Sequence, residues 1–355
     1  MITVIIPTLR RPLLLARAIR SVQAQTMRDL VIAVTDNASG DSTREVVASL
    51  MARDPRIRYH EQPSNLGPHA NFQHALQRVG TPYFTLLSDD DLLLPHFLAE
   101  RLGELAKAPE AMFAASPVML VDPHGRLLKL HGNNWRPGMH RPPQGLLEMT
   151  RRGHFIWTGA VFRTAVRNAV QLDPQTGNSS DLDFQLQVAA RYAFVTSRQP
   201  GAIFSWHPES PSSHPSLSQF WPAWGKIMAN LNAVETLPEA VRSQAIANLD
   251  RRLHRSLLLV GLYAASRRRW EDAAGAARVL TDRYRDVAAA ALIRATAWPA
   301  RRLPIIPNVL GSVAWQLRWA RRHQLGWLQR DLDARYRALF VVPSAAEFRR
   351  KDSAA

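Results

Sequence analysis

The chain has 355 residues, 46% of them hydrophobic, enough to bury a sizeable core shared by two units. It contains no cysteine, which excludes disulfides, thiolate nucleophiles and Cys-ligated zinc. The formal charge is +16, and residues 249–355 carry +12 of it (20 Arg and 1 Lys against 9 Asp and Glu), so the basicity points to a partner of the last third.

Met1 opens directly onto Ile2, Val4, Ile5 and Ile6, and the run stops at Pro7-Thr8. This predicts a strand; a signal peptide would need a basic n-region and a longer apolar run. No uninterrupted apolar segment reaches the ~18–20 residues of a membrane span. Leu14, Leu15, Ala18, Ile19 and Val22 have helical spacing, which predicts a helix over Arg10–Gln25. Asp29–Thr35 predicts a second strand, ending in the polar loop Asp36–Ser42. A helix over Thr43–Arg53, a short strand around Ile57 and Tyr59, and a helix from Asn65-Leu66-Gly67 to Val79 follow. Strands alternating with helices in this way indicate a parallel sheet with helices on both faces. Neither G-x-G-x-x-G nor G-x-x-x-x-G-K-[ST] is present, which argues against a dehydrogenase and a P-loop NTPase.

The fourth strand, Tyr83–Leu87, runs into Asp89, Asp90 and Asp91, then Leu92–Leu94 and Pro95, which suits the first turn of the next helix. Ligands of open α/β sheets bind at the carboxyl ends of strands. Three adjacent carboxylates repel one another, and a divalent cation relieves them; oxygen ligands suit Mg²⁺ or Mn²⁺. The plainer reading of these residues is a solvated acidic turn before a helix.

Further on, a helix is expected over Leu98–Ala108 and a single strand over Met112–Val121, with Pro117 marking an edge or bulge. Asp122–Gly145 looks like a long connection, and His124, His131 and His140 within it read as ordinary surface histidines. Trp157 suits either a sugar ring or the core. Asp181 and Asp183 open a helix, and a strand at Ala202–Ser205 leads to His207. Helices are expected over 249–265, 270–280, 287–297 and 309–339.

Four segments taken together carry a resemblance: V-I-I-P-T at Val4–Thr8, D-N-A-S-G-D-S at Asp36–Ser42, N-L-G-P-H-A-N at Asn65–Asn71, and L-L-S-D-D-D-L-L-L-P at Leu86–Pro95. In order and spacing they resemble the family 2 glycosyltransferases of GT-A fold, strongly over residues 1 to about 110 and more loosely to about 215. The resemblance implies an α/β fold, with a GT-A-type, Rossmann-like nucleotide-binding sheet in a catalytic domain over 1–215 and a helical, Arg-rich region over 216–355. It implies that Thr8 and Arg10 lie along the nucleotide and Asp36 beside its base. Asn65 and Gly67 match an N-x-G turn, where glycine lets the backbone approach the ligand. Asp89 then faces the ribose and Asp90 the metal, with Asp91 a further metal ligand. Many members carry an acid where this chain has Ser88, so the assignment within the triplet stays open by one residue. Phe155–Arg163 resembles the family's acceptor-side segment.

Asp181 and Asp183 resemble the segment that supplies the general base, with Asp181 preferred and a plain helix cap as the alternative. His207 would ligate the metal or donate to a phosphate oxygen.

The implied reaction moves a sugar from a nucleotide-diphosphate sugar to the hydroxyl of a saccharide or lipid-linked acceptor. It would invert the anomeric carbon, use Mn²⁺ or Mg²⁺, and serve cell-surface polysaccharide or glycolipid synthesis. A sugar-nucleotide nucleotidyltransferase would carry a Gly-rich basic loop where this chain has P-T-L-R-R-P. A nucleic-acid-binding protein would suit the basic third, but no nucleic-acid-binding signature is present, so nucleic acid is not the expected partner. Trp and Arg alternate with apolar residues over Val313–Leu328. This suits an anionic membrane surface, placing a cytoplasmic protein peripherally on the inner face of the cytoplasmic membrane.

Overall fold

The computed structural model describes residues 1–207, 216–302 and 326–348. The first apolar run forms β1 (Ile2–Thr8), buried along almost its whole length. It is followed by α1 (Pro12–Gln23), β2 (Leu30–Asp36), α2 (Thr43–Met51), β3 (Ile57–Glu61), α3 (Pro68–Gln77) and β4 (Tyr83–Leu86). β1, β2, β3 and β4 pair in parallel, so Thr8, Asp36 and the residues after Leu86 leave the sheet at one end. This half follows the expected alternation closely.

The second half of the α/β unit departs from it. After β4 come β5 (Leu92–Leu93), α4 (Phe97–Lys107), β6 (Ala111–Ala115), β7 (Val118–Val121), β8 (Leu127–His131), β9 (Gly138–His140), α5 (Gln144–Arg152), β10 (Ala160–Arg163), α6 (Ser180–Arg191), β11 (Ala193–Thr196) and β12 (Ala202–Ser205). The large sheet has the order β3-β2-β1-β4-β10-β6-β11-β9, and a small sheet has the order β5-β12-β7-β8.

The single strand expected over Met112–Val121 is therefore two strands in two sheets. Pro117 has no N–H for a ladder, and the Ser116 amide turns to the Gly159 carbonyl at 2.9 Å, so β7 starts anew beside β12. Leu92 and Leu93, read as the approach to a helix, form a short strand that pairs with Ile203 and Ala202, and α4 begins at Phe97, one residue before the expected Leu98. The long connection after Asp122 contains β8 and β9. His131 and His140 are not surface histidines: His140 stacks on Phe194 with ring centroids 5.0 Å apart, and His131 lies behind His154.

Helices α7 (Leu217–Asn232), α8 (Glu239–Ser266), α9 (Trp270–Asp282) and α10 (Val287–Arg302) form a bundle. α8 begins well before the expected Leu249. Its Leu249, Leu253 and Leu257 share one buried cluster with Phe162 and Phe184 of the α/β unit. Asn248 also donates to Thr150 of α5 at 3.0 Å. Helix α11 (Gly326–Tyr336) lays Leu328 and Leu332 over Leu92, Val121 and Ile203 of the small sheet. Farther on, Glu347 pairs with Arg20 of α1 at 2.7 Å, and Phe348 lies under the same guanidinium. Of the stretch expected to meet a membrane, Val313–Leu325 lies outside the described residues.

Gly159 joins the two sheets. A Cβ there would lie 2.5 Å from Val118 Cγ2 and 2.8 Å from the Ser116 carbonyl oxygen. The carbonyl is backbone and cannot swing aside. Gly159→Ala should destabilise the chain by ~1–3 kcal/mol, read from the urea midpoint; an unchanged midpoint would mean the joint has slack.

Candidate active site

The three aspartates after β4 have three different environments. A turn closed by the Asp91 amide on the Ser88 carbonyl, 3.0 Å, breaks strand alternation and fans the side chains apart. Asp89 is buried; its Oδ2 accepts from Thr8 Oγ1 at 2.8 Å and its Oδ1 from Arg11 Nη1 at 3.2 Å. Asp90 Oδ2 accepts from the same Arg11 Nη1 at 2.9 Å and lies 2.8 Å from His207 Nε2. Asp91 is fully buried, accepting from Thr158 Oγ1 at 2.7 Å and the Ser205 amide at 2.9 Å. Arg17 reaches the Asp90 carbonyl at 2.6 Å from below.

Electrostatics follow from this packing. Burial, and then the neighbouring Asp90, pushes the Asp89 carboxyl up to about 6, against the pull of Arg11 and Thr8. Burial and Asp90 raise Asp91 well above the usual carboxylate range, against its bonds from Thr158 and Ser205. The Asp90 carboxylate oxygen suits Mn²⁺ or Mg²⁺, which bind through one or two carboxylates and keep positions for other oxygens. Among the described residues no three His, Asp or Glu side chains gather as a metal cluster.

The loops that leave β1, β2 and β3 at this end are knitted together. Asp36 is buried, holding the Ser39 amide at 3.0 Å and the Tyr59 hydroxyl at 2.6 Å. Burial and Asp36 raise the Tyr59 pKa, so the phenol stays a donor. The Arg10 amide donates to Ser39 Oγ at 2.8 Å, and Arg10 itself sits at φ +56°, with its residue exposed. Asn65 Oδ1 accepts from Asn37 Nδ2 at 2.8 Å and from the Gly67 amide at 2.9 Å. Gly67 takes φ +81° just before α3, a conformation that suits glycine. These residues thus form one wall beside Thr8, with Asp36 fixing the loop from within.

Asp181 and Asp183 point apart, as i and i+2 on a helix must. Asp181 Oδ2 lies 2.9 Å from His154 Nε2, and its Oδ1 accepts from the Leu182 amide at 2.8 Å. Asp183 accepts from Gln187 at 2.9 Å and from Asn230 at 3.2 Å. Gln187 and Asn230 also line a polar cavity of about 640 Å³ with Asp173, Arg191 and Lys226. Residues 154–158 connect Asp181 to the aspartate triplet: His154 meets Asp181, Gln185 of α6 clamps both backbone groups of Phe155, and Thr158 meets Asp91. Trp157 is packed against Phe72, Phe162 and Phe184, so it belongs to the core.

Burial pushes Asp183 up to about 6 from 3.8, against its bonds from Asn230 and Gln187. The folded chain therefore holds this proton more tightly than the unfolded one. Between pH ~4 and ~6 stability should fall as pH rises, by at most ~3 kcal/mol from this group. Asp183→Asn should flatten that slope in urea midpoints taken across the window. An unaltered slope would show that the carboxyl is ionised in the fold.

Sequence reading missed Arg11, Arg17 and His154. Arg11 adjoins Arg10 in P-T-L-R-R-P, and only the turn into α1 decides which of the two meets the aspartates. His154 carries no motif.

The model of the family described as Glycosyl transferase family 2 matches residues 3–169. The GalNAc(5)-diNAcBac-PP-undecaprenol beta-1,3-glucosyltransferase of Campylobacter jejuni is 36% identical over 36% of this chain; the match spans only 41% of that relative's length. Among solved structures, S. aureus TarS in complex with UDP-GlcNAc aligns over 85% of this chain and 91% of its own, with TM-score 0.63 and 16% identity. A mannosyltransferase from Pyrobaculum calidifontis, in complex with GDP-Man and Mn²⁺, aligns over 90% and 87% with TM-score 0.50 and 17% identity. These neighbours share the fold. Residues 3–169 are thus similar to glycosyl transferase family 2, carried on a GT-A sheet.

Proposed function

We propose that the chain transfers a sugar, with inversion, from a nucleotide-diphosphate sugar to an acceptor hydroxyl in the synthesis of a cell-surface polysaccharide or glycolipid. The observation that carries this reading is the tie from Asp181 through residues 154–158 to Asp91, the neighbour of the Asp90–His207 pair. It puts an acidic, metal-suited donor pair and a basic carboxylate on one frame. Neighbours in complex with UDP-GlcNAc, and with GDP-Man and Mn²⁺, support a nucleotide-sugar donor. The Campylobacter relative, whose name carries an undecaprenol diphosphate, supports a lipid-linked acceptor.

In this reading Thr8, Arg10, Asn65 and Gly67 line the nucleotide, Asp36 holds the wall beside its base, and Asp89 receives the ribose hydroxyls. Asp90 and His207 would hold Mn²⁺ or Mg²⁺, which as a Lewis acid would offset charge on the leaving diphosphate. Arg11, already between Asp89 and Asp90, adds positive charge at the same place. Asp91 anchors the turn from inside. Asp181 takes the acceptor's proton as that oxygen attacks the anomeric carbon, and the bond to the diphosphate oxygen breaks on the opposite side.

The test is a screen of UDP-glucose, UDP-GlcNAc, UDP-galactose and GDP-mannose for hydrolysis without acceptor, with Mn²⁺ and with chelator. Metal-dependent release of a nucleoside diphosphate is expected, and no cleavage of any donor would overturn the proposal.

Among the described residues no helix is long and apolar enough to cross a membrane. The +12 of residues 249–355 supports peripheral contact with anionic lipid. The intact chain should sediment with anionic but not neutral vesicles and be released by high salt. Truncation before α8 is a poor control, because it would strip Leu249, Leu253 and Leu257 from the core.

A further inference from the structure

We propose that His154 is a positioning residue for the base: its Nε2–H fixes the Asp181 carboxylate in the orientation that takes the acceptor's proton. This rests on the reading of Asp181 as the base. Asp181 stands in the first turn of α6, where its Oδ1 is satisfied by the next residue's amide, 2.8 Å away. That bond fixes one oxygen but leaves the carboxylate free to rotate about it. The second constraint comes from His154 Nε2 on Oδ2 at 2.9 Å.

His154 is itself held from three directions. Gly153 before it takes φ +104°, which turns the chain out of α5. Phe155 after it is clamped by Gln185, whose Oε1 accepts its amide at 2.9 Å and whose Nε2 donates to its carbonyl at 2.6 Å. Gln185 lies four residues beyond Asp181, on the same face of α6. The imidazole and the carboxylate are thus referred to one helix. The His154 carbonyl accepts from His131 Nε2 of β8 at 3.0 Å.

The charged groups around the pair are few. Lys129 and His131 approach from β8, and burial keeps His131 down at about 4, so it brings no charge near neutral pH. Asp183 points to the other side of α6, toward Asn230. His154 is therefore the donor side chain in direct contact with Asp181 among the described residues.

Removing the donor should let the base rotate out of line, which lowers turnover while leaving donor binding alone. The loss of a residue that only filled space would not be rescued by another side chain with an N–H at the same place.

The experiment compares wild type, His154→Leu, His154→Gln and Asp181→Asn as intact chains, on whichever of UDP-glucose, UDP-GlcNAc, UDP-galactose and GDP-mannose is cleaved fastest. His154→Leu should lower kcat ~10-fold to 10²-fold and leave UDP affinity by calorimetry unchanged. His154→Gln carries an amide N–H where the imidazole Nε2–H was, and should restore kcat to within a few-fold of wild type. If Asp181→Asn is slow but His154→Leu keeps kcat, or His154→Gln is as slow as His154→Leu, the positioning role is wrong and the base stands. If Asp181→Asn retains kcat, or no donor is cleaved, the base reading falls and the positioning role falls with it.

Discussion

Asp181→Asn should leave UDP binding intact and lower turnover by ~10²-fold or more. The substitution keeps the shape of the side chain and an oxygen for the Leu182 amide, but removes the basic lone pair. Because Asp181 lies on α6 and not among the loops after β1, β2 and β3, donor affinity has no reason to change. The measurement is kcat with the identified donor beside UDP affinity by calorimetry. Asp183→Asn is the internal control: Asp183 faces Gln187 and Asn230, so its loss should alter stability more than kcat. If Asp183→Asn abolishes turnover and Asp181→Asn does not, the roles of the two carboxylates are exchanged.

Asp90→Ala should nearly abolish transfer and weaken Mn²⁺ binding, read by electron paramagnetic resonance of the free ion. The fold should survive, because Asp90 is partly exposed and, among the described residues, its side chain pairs with Arg11 and His207 at the surface. Asp91→Ala should behave in the opposite way. It leaves the Thr158 hydroxyl and the Ser205 amide without an acceptor in a dry interior, at a cost of ~1–3 kcal/mol each. Its signature is a lowered urea midpoint before any effect on metal affinity. Full activity of Asp90→Ala, or of wild type in excess chelator, would sink the metal-dependent mechanism.

The parallel half of the sheet was legible because its strands are long, apolar and separated by amphipathic helices, so local periodicity is the fold. The small sheet was not. β5 has two residues, and it pairs with β12, more than a hundred positions away, so no local pattern announces it. Met112–Val121 shows why a continuous apolar run is ambiguous: two buried strands in two sheets read like one when only a proline divides them. At the site, the aspartate triplet was visible as a chemical type, but its division of labour was not. The turn at Ser88–Asp91 decides which carboxylate faces inward, and Thr158 and Ser205, which satisfy Asp91, come from segments far away in the chain. His131 was misread for the same reason: it sits in a Pro- and Gly-rich stretch, and what buries it is the return of residues 153–156.

The packing of α11 and residues 345–348 bears on the order in which this chain can mature as it is made. Among the described residues, Leu328 and Leu332 cover the face of the small sheet bearing Leu92, Val121 and Ile203, so that face lacks their cover until they emerge, and Arg20 waits for Glu347, 327 positions later. During synthesis the α/β half is thus topologically complete but wears an apolar patch, for as long as the helical bundle takes to translate. Contacts of such long separation form late, and a transiently exposed sheet face is the kind of surface that chaperones hold and that aggregates when they do not. Substitutions at Leu328 or Leu332 should therefore register first as lost soluble yield, with the activity of the molecules that do fold little changed.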